Sequence, residues 1–338
     1  MPTLSALMSV YNGEEFIEET ITSILEQSFE DFEFIIIDDG SRDRTIDIIN
    51  SFHDSRIKLF QLPRNMGVGA ALNFGLNKIN SPFIAKVDAD DIYTRNRFSE
   101  QLYFLENNQD IAVVDCLLNY FATSDDVENS ERFHYLKNIH QLQINKAINP
   151  DEINEKLYWF CCVTHSLMMA RTNVIKKIGY NPNFRIGEDY QLFYLLNKRG
   201  YKFSKIKEVL GQIRVSEKST TAIEEDIINV FLTIKQEEFN AFLSQSELGF
   251  NYMIWGTGGL GINILNHFPK KLNNIVGFID SNKQKWGTTV GSFPIYSPEI
   301  IKKEKYKIIV ASTIGKFEIT EILKREKYQH LEDYFVIA

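Results

Sequence analysis

The chain has 338 residues, of which 44% are hydrophobic and 24% charged. This balance is typical of a globular protein, and the length allows two domains. The formal net charge of −8 argues against a nucleic-acid partner, because binding a phosphate backbone requires a basic surface. The sequence has no apolar stretch of roughly 18 residues and no signal-peptide pattern at its start, so we expect a cytoplasmic protein without a transmembrane segment.

The N-terminal part of the chain alternates short apolar runs with helical patterns. Predicted strands span residues 4–10, 34–37, 57–61 and 83–87, and predicted helices span residues 14–27, 43–52 and 67–79. This alternation is typical of a parallel sheet covered by helices on both faces. The sequence therefore predicts an α/β fold.

Segments with polar side chains follow three of these predicted strands. They are Tyr11-Asn12, Asp38-Asp39 and Asp88-Ala89-Asp90. Ligands of parallel sheets bind outside the carboxyl ends of the strands. We therefore expect a binding site at this edge of the sheet.

The middle of the chain has a weaker pattern. Residues 111–153 are rich in Asn and Glu, and we expect a lid, an inserted hairpin or a long loop there. Residues 163–170 predict a strand and residues 187–198 a helix. Residues 222–243 predict one long helix with an acidic face, which argues against membrane docking.

A second α/β unit is predicted from about residue 250. Gly256, Gly258 and Gly261 form a Gly-X-Gly-X-X-Gly pattern between a predicted strand and helix, and Asp280 ends the next strand. Such glycines let a diphosphate approach a helix N-terminus, and the acid can hold a ribose. A second nucleotide site and a structural or partner-docking role both stay open. The predicted domains are residues 1–220, a connecting helix at 221–248, and residues 249–338.

The run Asp88-Ala89-Asp90-Asp91 has two interpretations. In extended backbone, alternate side chains share a face, so Asp88 and Asp90 can address one divalent cation. Such a cation would neutralise a departing diphosphate. Alternatively the run is a solvated turn that caps the next helix. Asp38 and Asp39 also have two interpretations. They can form a ligand site, in which an acid accepts a hydrogen bond from a uracil N–H, or they can mark the start of the next helix.

Four motifs occur in order between residues 8 and 91. They are residues 8–12 (Met-Ser-Val-Tyr-Asn), 37–43 (Ile-Asp-Asp-Gly-Ser-Arg-Asp), 64–67 (Arg-Asn-Met-Gly) and 87–91 (Val-Asp-Ala-Asp-Asp). With this set the chain resembles family 2 glycosyltransferases of the GT-A fold, and the similarity extends more loosely to about residue 215. The C-terminal unit is similar to small Rossmann-like modules of bacterial polysaccharide-synthesis proteins.

The resemblance implies a role for each matching residue. Asp39, with Asp38 beside it, would contact the nucleoside base, and Asp88 with Asp90 would bind Mn²⁺ or Mg²⁺. The other implied nucleotide-sugar contacts are Tyr11, Asn12, Asn65, Gly67 and Ala89. Lys86 stays without a role, because its position varies in the family.

The pair Glu188-Asp189 supplies the candidate base. An inverting transfer needs a carboxylate that takes the proton of the attacking hydroxyl, and the resemblance assigns this role to Asp189. The alternative is an acidic first helical turn stabilised by the helix dipole. Two weaker candidates are His165, near the acceptor or purely structural, and Arg214, as a phosphate partner.

We therefore expect an inverting, metal-dependent glycosyltransferase with a UDP-sugar donor and a glycan or lipid-linked acceptor, acting in cell-surface polysaccharide synthesis. Peripheral attachment to the inner face of the cytoplasmic membrane and homo-oligomer formation stay open. The alternative is an NAD(P)-dependent oxidoreductase or a nucleotide-binding regulatory protein that acts through the C-terminal glycine turn.

Overall fold

A computed structural model of the protein describes residues 1–217, 227–245, 249–267 and 274–337. The chain forms two compact units, residues 1–225 and residues 226–338. The boundary between the units thus falls within residues 221–248, which the sequence predicts as a connecting helix. Among the described residues, no helix has both the length and the apolar character needed to cross a bilayer.

The first unit is built on one sheet of eight strands. In chain order they are β1 Leu4–Val10, β2 Phe32–Asp38, β3 Ile57–Gln61, β4 Phe83–Val87, β5 Ile92–Tyr93, β6 Ile111–Ala122, β7 Met169–Arg171 and β8 Lys202–Val215. Their order across the sheet is β3-β2-β1-β4-β7-β6-β8-β5. The strands β1 to β4 are parallel, as predicted, and β7 pairs antiparallel with both β4 and β6.

Helices cover this sheet. The helices in the first part of the unit are Ile17–Leu25, Thr45–Ser51, Val68–Leu76 and Arg97–Asn107. The isoleucines and leucines of β1, β2 and β4 are almost fully buried, which explains why these strands appear in the sequence as continuous apolar runs. The α/β prediction for this part of the chain is confirmed.

The region from residue 111 to 171 differs from the prediction. Residues 111–122 form the long strand β6, which pairs in parallel with β8. The helices that follow are Asp125–Glu128, Glu131–Tyr135, a π-helical turn Leu136–His140, Gln141–Lys146 and Pro150–Leu157. The strand predicted at 163–170 is wrong: the structure has a 3₁₀ turn at His165–Leu167 and only the three-residue β7. Two further helices, Thr172–Ile178 and Glu188–Lys198, precede β8.

The second unit contains a six-stranded sheet in the order β11-β12-β10-β9-β13-β14. Its strands are β9 Tyr252–Trp255, β10 Ile275–Ile279, β11 Thr289–Val290, β12 Phe293–Tyr296, β13 Lys307–Val310 and β14 Tyr334–Val336. All pair in parallel except β11 with β12. The helices Gly259–His267 and Lys316–Arg325 follow β9 and β13, as expected for a Rossmann-like module.

The predicted helix at 222–243 is interrupted. Residues 222–226 lie outside the described residues, and the rest forms two helices, Ile227–Ile234 and Gln236–Ser244, with Lys235 between them. Lys235 is fully buried, and its Nζ donates to the carbonyl of Ile337 at 2.8 Å. Apolar side chains of both helices belong to the core of the second unit.

Candidate active site

The acidic turn after β4 begins with a buried lysine. Lys86 is 1% exposed and its Nζ donates to the Asp88 carboxylate and to the Val87 carbonyl. The Asp88 side chain is 45% exposed. Although partial burial raises the pKa of Asp88, the charge and the hydrogen bond of Lys86 hold it below its usual value. Asp88 is therefore an ionised carboxylate at neutral pH.

Asp90 lies in a more negative environment. Burial and the charge of Asp88 raise the pKa of Asp90 to about 6. A divalent cation would relieve this repulsion, and carboxylate oxygens are the ligands that Mg²⁺ and Mn²⁺ prefer. In the described part of the chain no group of three or more His, Cys, Asp or Glu side chains is arranged to hold a metal ion. A cation held by Asp88 and Asp90 would therefore need further ligands from outside the described side chains.

Asp91, the third acid of the turn, is structural. It is 2% exposed and accepts hydrogen bonds from Ser166 Oγ at 2.6 Å and from the Arg214 N–H at 3.0 Å. Its own carbonyl accepts from Thr20 Oγ1 at 2.8 Å. The turn is thereby fixed to three other elements of the unit.

Arg214 supports the same turn. Its Nε donates to the Asp90 carbonyl at 2.7 Å, and its guanidinium pairs with Glu19. The guanidinium carbon also lies 4.4 Å from the ring centroid of Phe16 and 4.6 Å from that of Phe121. These contacts fix the acidic turn, and a phosphate on Arg214 would have to replace Glu19.

The acids after β2 organise the neighbouring loops. Asp39 is 3% exposed, and its two oxygens accept from the N–H groups of Met66 at 2.8 Å and Gly67 at 2.9 Å. Asp38 is 1% exposed and accepts from the N–H groups of Gly40 and Ser41. A nucleoside base on Asp39 would share a carboxylate that already joins the β2 and β3 loops.

The other predicted nucleotide contacts line the same edge. Tyr11 is 43% exposed directly after β1. Asn12 adopts a positive φ of 53°, which asparagine tolerates better than most residues, and its Oδ1 accepts from the Arg42 N–H. The Asn65 side chain accepts from the N–H of Gly67, whose φ is 91°. Ala89 lies between the two acids of the β4 turn.

The candidate base begins the helix Glu188–Lys198. Gly187 precedes this helix with a φ of 80°, and Asp189 accepts from the N–H of Tyr190 at 2.6 Å. Burial and the neighbouring Asp189 charge raise the pKa of Glu188 to about 8. Burial and the charge of Asp88 also raise the pKa of Asp189, although the hydrogen bond from the Tyr190 N–H lowers it.

Several of the predicted acids influence one another across separate elements. Asp88 follows β4, and its charge is one cause of the raised pKa values of Glu188 and Asp189, which begin the helix Glu188–Lys198. Asp38 ends β2 and Asp88 follows β4, and both strands flank β1. With strands about 4.8 Å apart, these two acids are on the order of 10 Å from each other. His165 also lies here, partly buried, with Nε2 2.8 Å from Tyr180 Oη.

Packing within the second unit requires two of the glycines in its glycine turn. A Cβ on Gly256 would lie 2.3 Å from the Ala311 carbonyl oxygen, and one on Gly261 would lie 2.1 Å from that of Gly256. A Cβ on Gly258 would meet nothing. Asp280 accepts from the N–H and hydroxyl of Thr257 and pairs with Lys285. A ribose would therefore compete with contacts inside the unit.

Two residues of the site region were given no role from the sequence, whereas Asp91 was expected to turn away from the ion. Lys86 had a signal, because a lysine inside the apolar run 83–87 must be buried with a partner. Tyr180 had none, because its main-chain partner Asn73 lies on a distant segment.

The chain matches two family descriptions. Residues 5–179 match "Glycosyl transferase family 2", and residues 250–332 match "C2185-like, N-terminal". An uncharacterized glycosyltransferase of Haemophilus influenzae is 25% identical over 336 residues, covering 98% of this chain and 92% of that protein. The minor teichoic acid biosynthesis protein GgaB of Bacillus subtilis is 25% identical over 225 residues, covering 65% of this chain and 24% of that protein.

Solved structures agree on the fold. TarS 1–349 of S. aureus, in complex with UDP-GlcNAc, superposes with a TM-score of 0.55 at 19% identity, covering 70% of this chain and 67% of that one. The family match includes the acidic turn after β4 and reaches the end of the helix Thr172–Ile178. The chain belongs to glycosyltransferase family 2 and has the GT-A fold with a second α/β unit at its C-terminus.

Proposed function

We propose that the chain is an inverting transferase that moves a sugar from a UDP-sugar to a hydroxyl of a glycan or lipid-linked acceptor in cell-surface polysaccharide synthesis. The observation that carries this proposal is that the turn His165–Leu167 contacts both the acidic turn, where Ser166 donates to Asp91 at 2.6 Å, and the helix of Asp189, where Phe193 packs against His165. An inverting transfer requires this arrangement, with a charged site for the leaving diphosphate opposite a base for the incoming alcohol.

The proposed reaction is a single displacement. The acceptor oxygen forms a bond to the anomeric carbon while the bond from that carbon to the diphosphate breaks. The hydroxyl proton passes to Asp189, and the electron pair of the broken bond leaves with the diphosphate. Because burial raises the pKa of Asp189, it is a stronger base than an exposed aspartate.

Glu188 and Lys86 set the charge around these steps. With a pKa of about 8, Glu188 is largely protonated at neutral pH, so the adjacent Asp189 can carry the negative charge. Lys86 compensates part of the charge of Asp88. A divalent cation on Asp88 and Asp90 would supply neutralisation of the departing diphosphate.

The known relatives support the proposed substrate class. TarS binds UDP-GlcNAc, and GgaB acts in teichoic acid biosynthesis. Both observations favour a uridine nucleotide and a surface polymer as the substrates to test first.

The test is a panel of UDP-GlcNAc, UDP-glucose, UDP-galactose and GDP-mannose with the purified chain, with Mn²⁺ or with EDTA. We expect UDP release from at least one donor, lost with EDTA. Asp189→Asn should lower the rate by about 10²- to 10⁴-fold, the usual contribution of a general base. Asp110→Asn, at an exposed acid paired with Lys202, is the matched control. A wild-type rate in Asp189→Asn would exclude the assigned base, and release without metal would exclude the metal role.

A further inference from the structure

A tyrosine and a histidine form a hydrogen-bonded pair beside the acids. Tyr180 Oη lies 2.8 Å from His165 Nε2, and the two ring centroids are 5.4 Å apart. Phe193 packs its edge against the imidazole with a centroid distance of 6.0 Å. The imidazole is therefore held on two sides.

Tyr180 is itself fixed by its main chain. Asn73 accepts from the Tyr180 N–H at 2.9 Å and donates to the Tyr180 carbonyl at 2.7 Å. Tyr180 is 4% exposed and follows Gly179, whose φ of 68° ends the helix Thr172–Ile178. The hydroxyl therefore has a defined position, which is the requirement for orienting a neighbouring group.

The direction of this hydrogen bond depends on the tautomer of His165. A Tyr180 hydroxyl that donates has His165 Nε2 as its acceptor. Burial and the charge of Lys86 lower the pKa of His165 to about 3, so the imidazole is neutral. A neutral imidazole that accepts at Nε2 carries its hydrogen on Nδ1.

The segment of His165 contacts both the acidic turn and the helix of the candidate base. The next residue, Ser166, donates to Asp91 at 2.6 Å, and Phe193 of the helix Glu188–Lys198 packs against the His165 imidazole with ring centroids 6.0 Å apart. In the proposed single displacement the transferred sugar lies between the diphosphate and the incoming hydroxyl. A side chain that joins the acidic turn to the helix of Asp189 is therefore placed to meet that sugar.

We infer that His165, oriented by Tyr180, donates a hydrogen bond from Nδ1 to a hydroxyl of the transferred sugar and so contributes to the choice of donor. This inference rests on the proposed function. A site that hydrogen-bonds a substrate hydroxyl discriminates against donors that lack it or hold it elsewhere.

The test separates nucleotide affinity from sugar affinity. Calorimetric titration with Mn²⁺ present compares UDP with the preferred UDP-sugar for the wild type, Tyr180→Phe, His165→Ala and the double variant. We expect UDP affinity within about twofold of the wild type. Affinity for the UDP-sugar should fall by about 5- to 20-fold in each variant, the loss typical of one hydrogen bond. The double variant should be no weaker than His165→Ala, because Tyr180 acts through His165.

Tyr120→Phe is the matched control, because Tyr120 Oη forms a similar pair with His140 Nδ1 at 3.0 Å. It should bind UDP and the UDP-sugar like the wild type. Nitrogen-15 NMR of the histidines adds a readout that needs no substrate: His165 should be the Nδ1–H tautomer in the wild type, and Tyr180→Phe should lose this preference.

Each outcome decides a separate point. An Nε2–H tautomer in the wild type, or unchanged UDP-sugar affinity in Tyr180→Phe, overturns the inference and leaves the proposed function intact. Equal losses for UDP and the UDP-sugar would show a merely structural role and overturn it as well. A wild-type chain that binds no nucleotide sugar would refute the proposed function, and the inference with it.

Discussion

At the scale of single residues, Lys86 is the feature that most distinguishes the acidic turn. Its ammonium is buried and bound to the carboxylate of Asp88, which the resemblance assigns to the metal. The lysine and a metal ion would therefore compete for the charge of one carboxylate. A buried cation near a metal site weakens metal binding through simple repulsion.

We predict that Lys86→Met binds Mn²⁺ more tightly than the wild type in the absence of nucleotide. Removal of one positive charge from a partly buried site should change the Mn²⁺ affinity about tenfold, which corresponds to about 1.4 kcal/mol. Titration of free Mn²⁺ by electron paramagnetic resonance measures this directly. Lys58→Met, which removes a half-exposed lysine paired with Glu33, should leave Mn²⁺ affinity unchanged. Weaker binding in Lys86→Met would show that Lys86 supports the metal site by holding Asp88 in place.

At the scale of elements, the helix Val68–Leu76 joins the nucleotide side of the unit to the Tyr180 segment. Asn73 of this helix bonds to Tyr180. A Cβ on Gly69 would lie 2.9 Å from the carbonyl oxygen of Asn181 and 3.3 Å from Cα of Pro182. The helix and the loop can therefore approach this closely only because Gly69 has no side chain.

Gly69→Ala should destabilise the first unit although alanine favours helices. The overpacking cost of about 1–3 kcal/mol exceeds the helix-propensity gain of at most about 1 kcal/mol, because main-chain atoms cannot move aside as a side chain can. Urea denaturation measures the difference. The comparison is Gly259→Ala, at the start of another helix, where a Cβ would meet nothing and a gain of about 0.5–1 kcal/mol is expected. A stabilised Gly69→Ala would mean that the loop at residues 181–182 adapts freely.

Element prediction succeeded where burial is local and failed where partners are distant. The strands β1 to β4 appear as apolar runs because both of their faces are buried. The strand β6 was missed because Asp115 interrupts its apolar pattern, and its charge is balanced by Lys205 of β8, with both side chains almost fully buried. Periodicity within a short window carries no information about such a pair. The same limit hid Tyr180, whose partner Asn73 lies 107 residues earlier.

At the scale of the whole molecule, each unit has its own buried core and its own buried charges. In the second unit, Lys235 and Lys316 are almost fully buried. The charge of Lys235 acts on His330, which packs against Tyr334 with ring centroids 5.2 Å apart. Burial, together with the charges of Lys235 and Lys324, lowers the pKa of His330 to about 3. This histidine is therefore neutral in the folded unit at neutral pH.

The second unit should lose stability as the pH falls below that of an ordinary histidine. The unfolded chain binds a proton at His330 with a pKa of about 6.5, whereas the folded unit binds it only near pH 3. Between these values the unfolded state holds more protons, so the contribution of His330 is complete above pH 6.5 and declines toward pH 3. Thermal unfolding from pH 7.5 to 4.5 measures the decline when it is followed by tryptophan fluorescence in a Trp159→Phe background, which leaves only Trp255 and Trp286, both in the second unit. His330→Gln should show a smaller loss over this range, and His53→Gln, at an exposed position, should follow the wild type. A His330→Gln variant with the same pH dependence as the wild type would place the acid sensitivity on other groups of the unit.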